Sequence, residues 1–173
     1  MITSVADFVR YFEGIRRRTW AVVDRVTPAL LEWAPAPTEW TCGTIVRHLA
    51  GAERFYVTKV VEDRWTEDLD PGPALGHAAT RARLEDIHRA SVAILEGWPD
   101  AGLLAPRRDL EGGTVKAWRF LMAMVEHEVH HRSQLDACLA AAGAEPPQLY
   151  GYRMEDVLAR VAREPAAAAE GHR

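Results

Sequence analysis

The stretch Phe120-Leu121-Met122-Ala123-Met124-Val125-Glu126-His127-Glu128-Val129-His130-His131-Arg132-Ser133-Gln134-Leu135-Asp136-Ala137-Cys138 decides how this chain folds. It contains no Pro or Gly. Phe120, Ala123, Met124, His127, His131, Gln134, Leu135 and Cys138 recur at three- and four-residue spacing, which is one stripe of an amphipathic helix. The helix is predicted from about Thr114 to Ala142. Gly143 supplies a C-cap, and Glu145-Pro146-Pro147 stops any continuation.

Outward from this helix the pattern repeats. Val5, Phe8, Phe12, Ile15, Thr19, Val22 and Val26 mark a first helix, about Thr3 to Val26. It is ended by Trp33-Ala34-Pro35-Ala36-Pro37. A second runs from Thr41, a plausible N-cap with Trp40 before it as an apolar staple, to about Asp63. Its inner face reads Ile45, His48/Leu49, Ala52, Phe55/Tyr56 and Lys59/Val60. A third covers about Ala74 to Trp98, and a short fifth helix about Met154 to Arg163. Between Asp100 and Gly113 the chain is irregular, with room for a short extended piece.

These segments predict an all-α protein: a four-helix bundle with a short C-terminal helix. The connections between the long helices exceed the short turns of an ideal up-down bundle, so at least one long crossover is expected. Residues 1–165 are read as a single domain and 166–173 as a disordered tail. With 173 residues the chain can bury a core without disulfides or metal.

The histidines carry the chemistry. Helix positions four apart sit about 40° apart around the axis, so His127 and His131 project side by side. They lie on the apolar stripe and face the interior. Two buried imidazoles need partners for their donors and acceptors, and one shared metal ion supplies them. His48, between Ile45 and Ala52 on the apolar face of the second helix, is the third candidate ligand, because bundles assemble metal sites from facing helices. Three protein ligands and an open position are the pattern of a catalytic site. His77, His88 and His172 read as solvated, and His130 points about 100° away from His131. Glu53, Glu126, Glu128 and Gln134 are the nearest polar candidates to orient the ligands. For the three glutamates an exposed helix charge is the competing reading.

Two competing roles are open to these residues. His127-Glu128-Val129-His130-His131 fits H-E-x-x-H, in which Glu128 would be a peptidase's general base. Against that stand the absence of a convincing strand and of any later histidine except His172. Cys42 and Cys138 form no C-x-x-C, and Cys138 shares the buried face of His131, so both read as core rather than nucleophiles.

The formal net charge of -4, from 21 basic and 25 acidic side chains, offers no general attraction to nucleic acid or anionic membranes. Arg16, Arg17 and Arg18 read as a solvated helix face. Neither a signal peptide nor a membrane-spanning stretch is expected, and a reducing cytoplasm is the expected location.

Trp40, His48-Leu49-Ala50-x-x-Glu53, His127-x-x-x-His131-Arg132-x-Gln134-Leu135 and Gly143-x-x-Pro146-Pro147 together resemble the DinB-like superfamily. This is the damage-inducible bacterial group that includes YfiT-type proteins. The resemblance covers most of the chain and departs at Ser133, where the family commonly has Gly. It implies a four-helix bundle with a long crossover, often a homodimer. It also implies one divalent ion, zinc or nickel, at His48, His127 and His131.

Characterised relatives include thiol transferases that use bacillithiol or mycothiol. The resemblance therefore implies metal-dependent transfer of a low-molecular-weight thiol, as co-substrate, to a small-molecule electrophile. Arg47, Arg54, Lys59 and Arg132 are candidates to line an anionic thiol's pocket, each competing with an ordinary exposed helix charge. The alternatives are a hydrolase using metal-bound hydroxide and a non-catalytic metal-binding stress-response protein.

Overall fold

The computed structural model describes residues 2–145 and 147–163, so the expected tail at 166–173, with His172, lies outside the described residues. Four long helices carry the fold: α1 (Val5–Val23), α2 (Cys42–Glu62), α3 (His77–Glu96) and α4 (Ala117–Ala141). Between α3 and α4 a 3-10 turn, Asp100–Leu104, leads into a hairpin of β1 (Pro106–Arg108) and β2 (Thr114–Lys116). The hairpin pairs antiparallel, with Arg107 opposite Val115. It takes up the first residues that helix periodicity assigns to α4. A short α5 (Met154–Val161) has no buried residue.

Local chemistry sets the helix ends. Ser4 caps α1 by accepting from the Asp7 amide, and Thr41 caps α2 by accepting from the Thr44 amide. Asp63 ends α2 in the left-handed conformation at φ 53°. There its carboxylate accepts from Lys59 Nζ at 2.6 Å and from the Arg108 amide at 3.0 Å, which anchors the hairpin to α2.

Two apolar clusters fix the directions of the helices. One joins Val5, Phe8 and Phe12 of α1 to Val57 and Val60 of α2, Leu95 of α3, and Leu121 and Val125 of α4. The other joins Val22 and Val23 to Ile45, Leu49, Leu84, Leu135 and Leu139. Starts of α1 and α4 therefore share one end of the bundle with the finishes of α2 and α3. The order is up-down-down-up. Each fully buried Leu, Ile or Phe contributes roughly 1.5–3 kcal/mol to this arrangement. α2 and α3 run parallel, so the segment 63–76 must travel the length of the bundle. It is the crossover the sequence requires without locating. Each of α1 and α2 packs against both α3 and α4.

A polar layer lies inside the bundle. Arg16 Nη2 donates to Glu53 Oε2 at 2.6 Å and to Glu128 Oε2 at 2.7 Å. Thr19 donates to Glu128 Oε1 at 2.6 Å, and His88 Nδ1 lies 2.9 Å from Glu53 Oε1. Each long helix contributes one charged or titratable group. The expectation that Arg16 is solvated and that Glu53 and Glu128 are exposed charges is corrected: Arg16 and Glu53 are each 1% exposed and Glu128 3%. Arg16 follows Ile15 directly and lies within the inward face of α1, so its length carries the guanidinium to carboxylates on α2 and α4. His88 is likewise half-buried rather than solvated.

No helix among the described residues is long and apolar enough to cross a membrane.

Candidate metal centre

His48 comes from α2, and His127 and His131 come from successive turns of α4. One ligand atom from each can be chosen so that all three lie within 4.8 Å of one another. His48 is buried, while His127 and His131 are half-buried, so the cluster sits at the edge of the α2–α4 contact with access from outside.

The ring nitrogens are set by hydrogen bonds. His48 Nδ1 faces the Leu69 carbonyl at 2.6 Å. A carbonyl only accepts, so Nδ1 carries the proton and Nε2 keeps its lone pair. His131 Nδ1 meets Gln134 Oε1 at 2.9 Å, with the same consequence. His48 Nε2 and His127 Nε2 stand 3.1 Å apart. Two ligands each about 2.0–2.1 Å from one tetrahedral ion would be separated by about 3.3 Å. The donor set therefore fits a divalent ion.

Electrostatics agree with the geometry. Burial, reinforced by the neighbouring imidazoles, pushes the His127 pKa down to about 4. Burial also lowers His48 and His131. The rings are thus held neutral, the form that binds metal.

Aromatic rings enclose the cluster. Trp40 stacks on His131, with centroids 5.6 Å apart and planes within 16°, and meets His48 edge-on at 4.7 Å. Tyr56 meets His127 edge-on at 5.7 Å. Trp40, expected as a staple for α2, packs on two of the cluster's rings.

The other candidates divide clearly. Gln134 bonds His131, whereas Glu53 and Glu128 have their hydrogen-bond partners in the Arg16 layer. Glu126 is exposed on α4. His130 is exposed, with its ring 4.8 Å from that of His131. His77 contacts the Val26 carbonyl at 2.6 Å.

Arg47, Lys59 and Arg132 are not exposed helix charges but buried. Lys59 Nζ sits 4.0 Å over the Trp65 ring and pairs with Asp63. Arg54 is exposed and pairs with Asp68. Both cysteines are buried and unpaired; burial pushes the Cys42 thiol up to about 11 and raises that of Cys138, so neither is a ready nucleophile.

Sequence reasoning missed the Leu69 carbonyl. A backbone acceptor leaves no side-chain signal, and Asp68-Leu69-Asp70-Pro71-Gly72 reads only as a loop.

An up-down-down-up helical bundle with a three-histidine cluster between its second and fourth helices defines the class of this protein. A sequence model described as the DinB superfamily matches residues 11–135. The chain belongs to that superfamily. It is 24% identical over 160 residues to the uncharacterized protein YrdA of Bacillus subtilis, covering 90% of this chain and 93% of the relative. Its fold is similar to that of a DinB-like protein from Bacillus cereus, with TM-score 0.75 and 22% identity over 87% of this chain and all of the other. The DinB-like protein YjoA of Bacillus subtilis gives TM-score 0.68 and 21% identity, covering 82% of this chain and 96% of the other.

Proposed function

We propose that the protein binds one divalent metal ion, zinc or nickel, through His48, His127 and His131. We further propose that it acts as a metal-dependent thiol S-transferase, joining a low-molecular-weight thiol to a small electrophile. The observation that carries the reading is the convergence of three neutral imidazoles from two helices, with Nε2 of His48 and of His131 kept unprotonated by their Nδ1 hydrogen bonds. An ion held by three neutral ligands keeps its full charge and strongly acidifies a thiol that meets it.

The chain's own groups fill definite roles in this reading. Leu69 and Gln134 hold two ligand rings in the binding tautomer, and Trp40 and Tyr56 limit the approach. Glu128 cannot serve as the base of an H-E-x-x-H peptidase, because both its oxygens are engaged by Arg16 and Thr19. This favours thiol activation over peptide hydrolysis. Loss of the thiol proton then needs no protein carboxylate, since the acidified thiol can release it to solvent. The working form in this reading is a homodimer, which light scattering tests directly.

The first experiment is elemental analysis of tag-free protein and of His48→Ala, His127→Ala and His131→Ala. One ion per chain, lost in each variant, is the expected result. No bound metal and no uptake of zinc or nickel would defeat the metal reading. Conjugation of monobromobimane to cysteine, glutathione, bacillithiol or mycothiol above the uncatalysed rate, abolished in His131→Ala, supports the transferase. Metal binding without conjugation of any thiol favours the hydrolase or the non-catalytic alternative.

A further inference from the structure

We propose that Trp40, on the His48 and His131 side of the cluster, and Tyr56, on the His127 side, wall an acceptor subsite that selects planar aromatic or conjugated molecules at the three-histidine centre. The inference rests on the metal reading above and adds the substrate class to it.

Trp40 lies just before α2, one residue ahead of the Thr41 cap, so the capped helix end fixes where its backbone stands. One side of its indole is committed to the imidazoles of His131 and His48. The residue is nevertheless 37% exposed. A large aromatic side chain that serves only to fill a core would be covered. Leu69, whose carbonyl holds His48, is also exposed, at 36%. Two partly exposed apolar residues thus adjoin the polar centre, Trp40 by its ring and Leu69 by its carbonyl. Tyr56 places a further ring against His127, one helical turn beyond Ala52 on α2. Along α4 the residue one turn before His127 is Ala123, too small to obstruct the approach from that side.

Apolar walls with a few convergent polar groups are the usual make-up of a small-molecule site. An indole offers a flat face rather than a socket, and flat π-systems stack on it in offset or edge arrangements. An acceptor with a planar unsaturated body is held by that face while its reactive atom meets the centre. A compact aliphatic acceptor gains little from it. Trp40 and Tyr56 are thus specificity-determining residues, and neither is a metal ligand.

The test uses binding rather than turnover. Zinc-loaded protein is titrated calorimetrically with benzohydroxamate and with acetohydroxamate, which share a metal-binding head and differ in the aromatic body. Benzohydroxamate is expected to bind about tenfold more tightly, the order of an aromatic stacking contact. Trp40→Ala, compared at equal zinc loading, should remove most of that difference, read as the ratio of the two affinities within the variant, and Trp40→Phe should restore part of it. Tyr56→Ala should narrow the gap as well. Equal affinities in the unaltered protein, or a preference that survives in Trp40→Ala, would overturn the proposal. Failure of zinc itself to load would instead overturn the metal reading, so the two failures are distinguishable.

Discussion

The Leu69 carbonyl accepts a hydrogen bond from His48 Nδ1 at 2.6 Å, and this contact ties the crossover to the candidate metal centre. The same segment presses on α2 at Gly51. A Cβ there would overlap the Asp68 carbonyl oxygen, one residue before Leu69. Gly51 is therefore glycine because backbone passes over it, within one turn of His48. Gly51→Ala should push the crossover outward and break the Leu69–His48 bond while the helices persist. Losing an outer partner of a ligand typically costs about 10–100-fold in metal affinity. Chelator competition measures the loss and circular dichroism the retained helix; unchanged zinc affinity would show that the crossover does not govern the ligand.

The charged layer makes a prediction about stability. Arg16 is the shared partner of Glu53 and Glu128, all three almost wholly buried. Arg16→Met removes the cation and leaves two carboxylates facing an apolar side chain. Breaking a buried pair in this way costs about 3–5 kcal/mol. Replacing both glutamates by Gln in the same chain should recover much of it, since no buried charge remains unpaired. Urea unfolding of the single and triple variants gives the comparison. A single variant within about 1 kcal/mol of the unaltered protein would mean water already neutralises the layer.

The visible part of the site was visible for a simple reason. His127 and His131 share a helix face by spacing alone, and His48 sits between apolar residues on its own helix, so periodicity exposes all three. Arg16 and Glu128 were equally placed on inward stripes, beside Ile15 and between Met124 and Leu135. Charge argues for exposure at these positions, although long side chains can bury their heads when partners wait on other helices. His88 could not be read, since its partner Glu53 lies on another helix. The identity of the crossover also needed packing: every connection was long, and only the shared ends of the two apolar clusters show that 63–76 runs the length of the bundle.

The pH dependence follows from the depressed imidazoles. His127 is pushed from the ordinary 6.5 down to about 4 by burial first and then by its histidine neighbours. His48 and His131 shift the same way. In the unfolded chain these rings take up protons near pH 6.5, but in the folded metal-free protein they resist. Protons therefore bind the unfolded state better, and the stability present above pH 6.5 is lost as pH falls towards 4. The melting temperature of metal-free protein should drop across that window, and less steeply in His127→Gln. Zinc affinity should hold up at pH 6, because protons compete poorly for rings already held neutral. A tenfold loss per ligand per pH unit below 6.5 would contradict this.

Gln134 supplies the last test, because it separates orientation from ligation. Its Oε1 meets His131 Nδ1 at 2.9 Å from one turn further along α4. Gln134→Leu keeps the helix propensity and the approximate volume but removes the acceptor. His131 can then rotate and exchange tautomers, so its Nε2 lone pair is no longer held towards His48 and His127. Zinc should still bind at one ion per chain, with affinity weakened at least about tenfold. Gln134→Glu offers the opposite arm: a carboxylate accepts more strongly and raises the basicity of the ring, so affinity should equal or exceed that of the unaltered protein. If both substitutions leave zinc affinity unchanged, the His131 ring is held by Trp40 stacking alone, and Gln134 has no part in the centre.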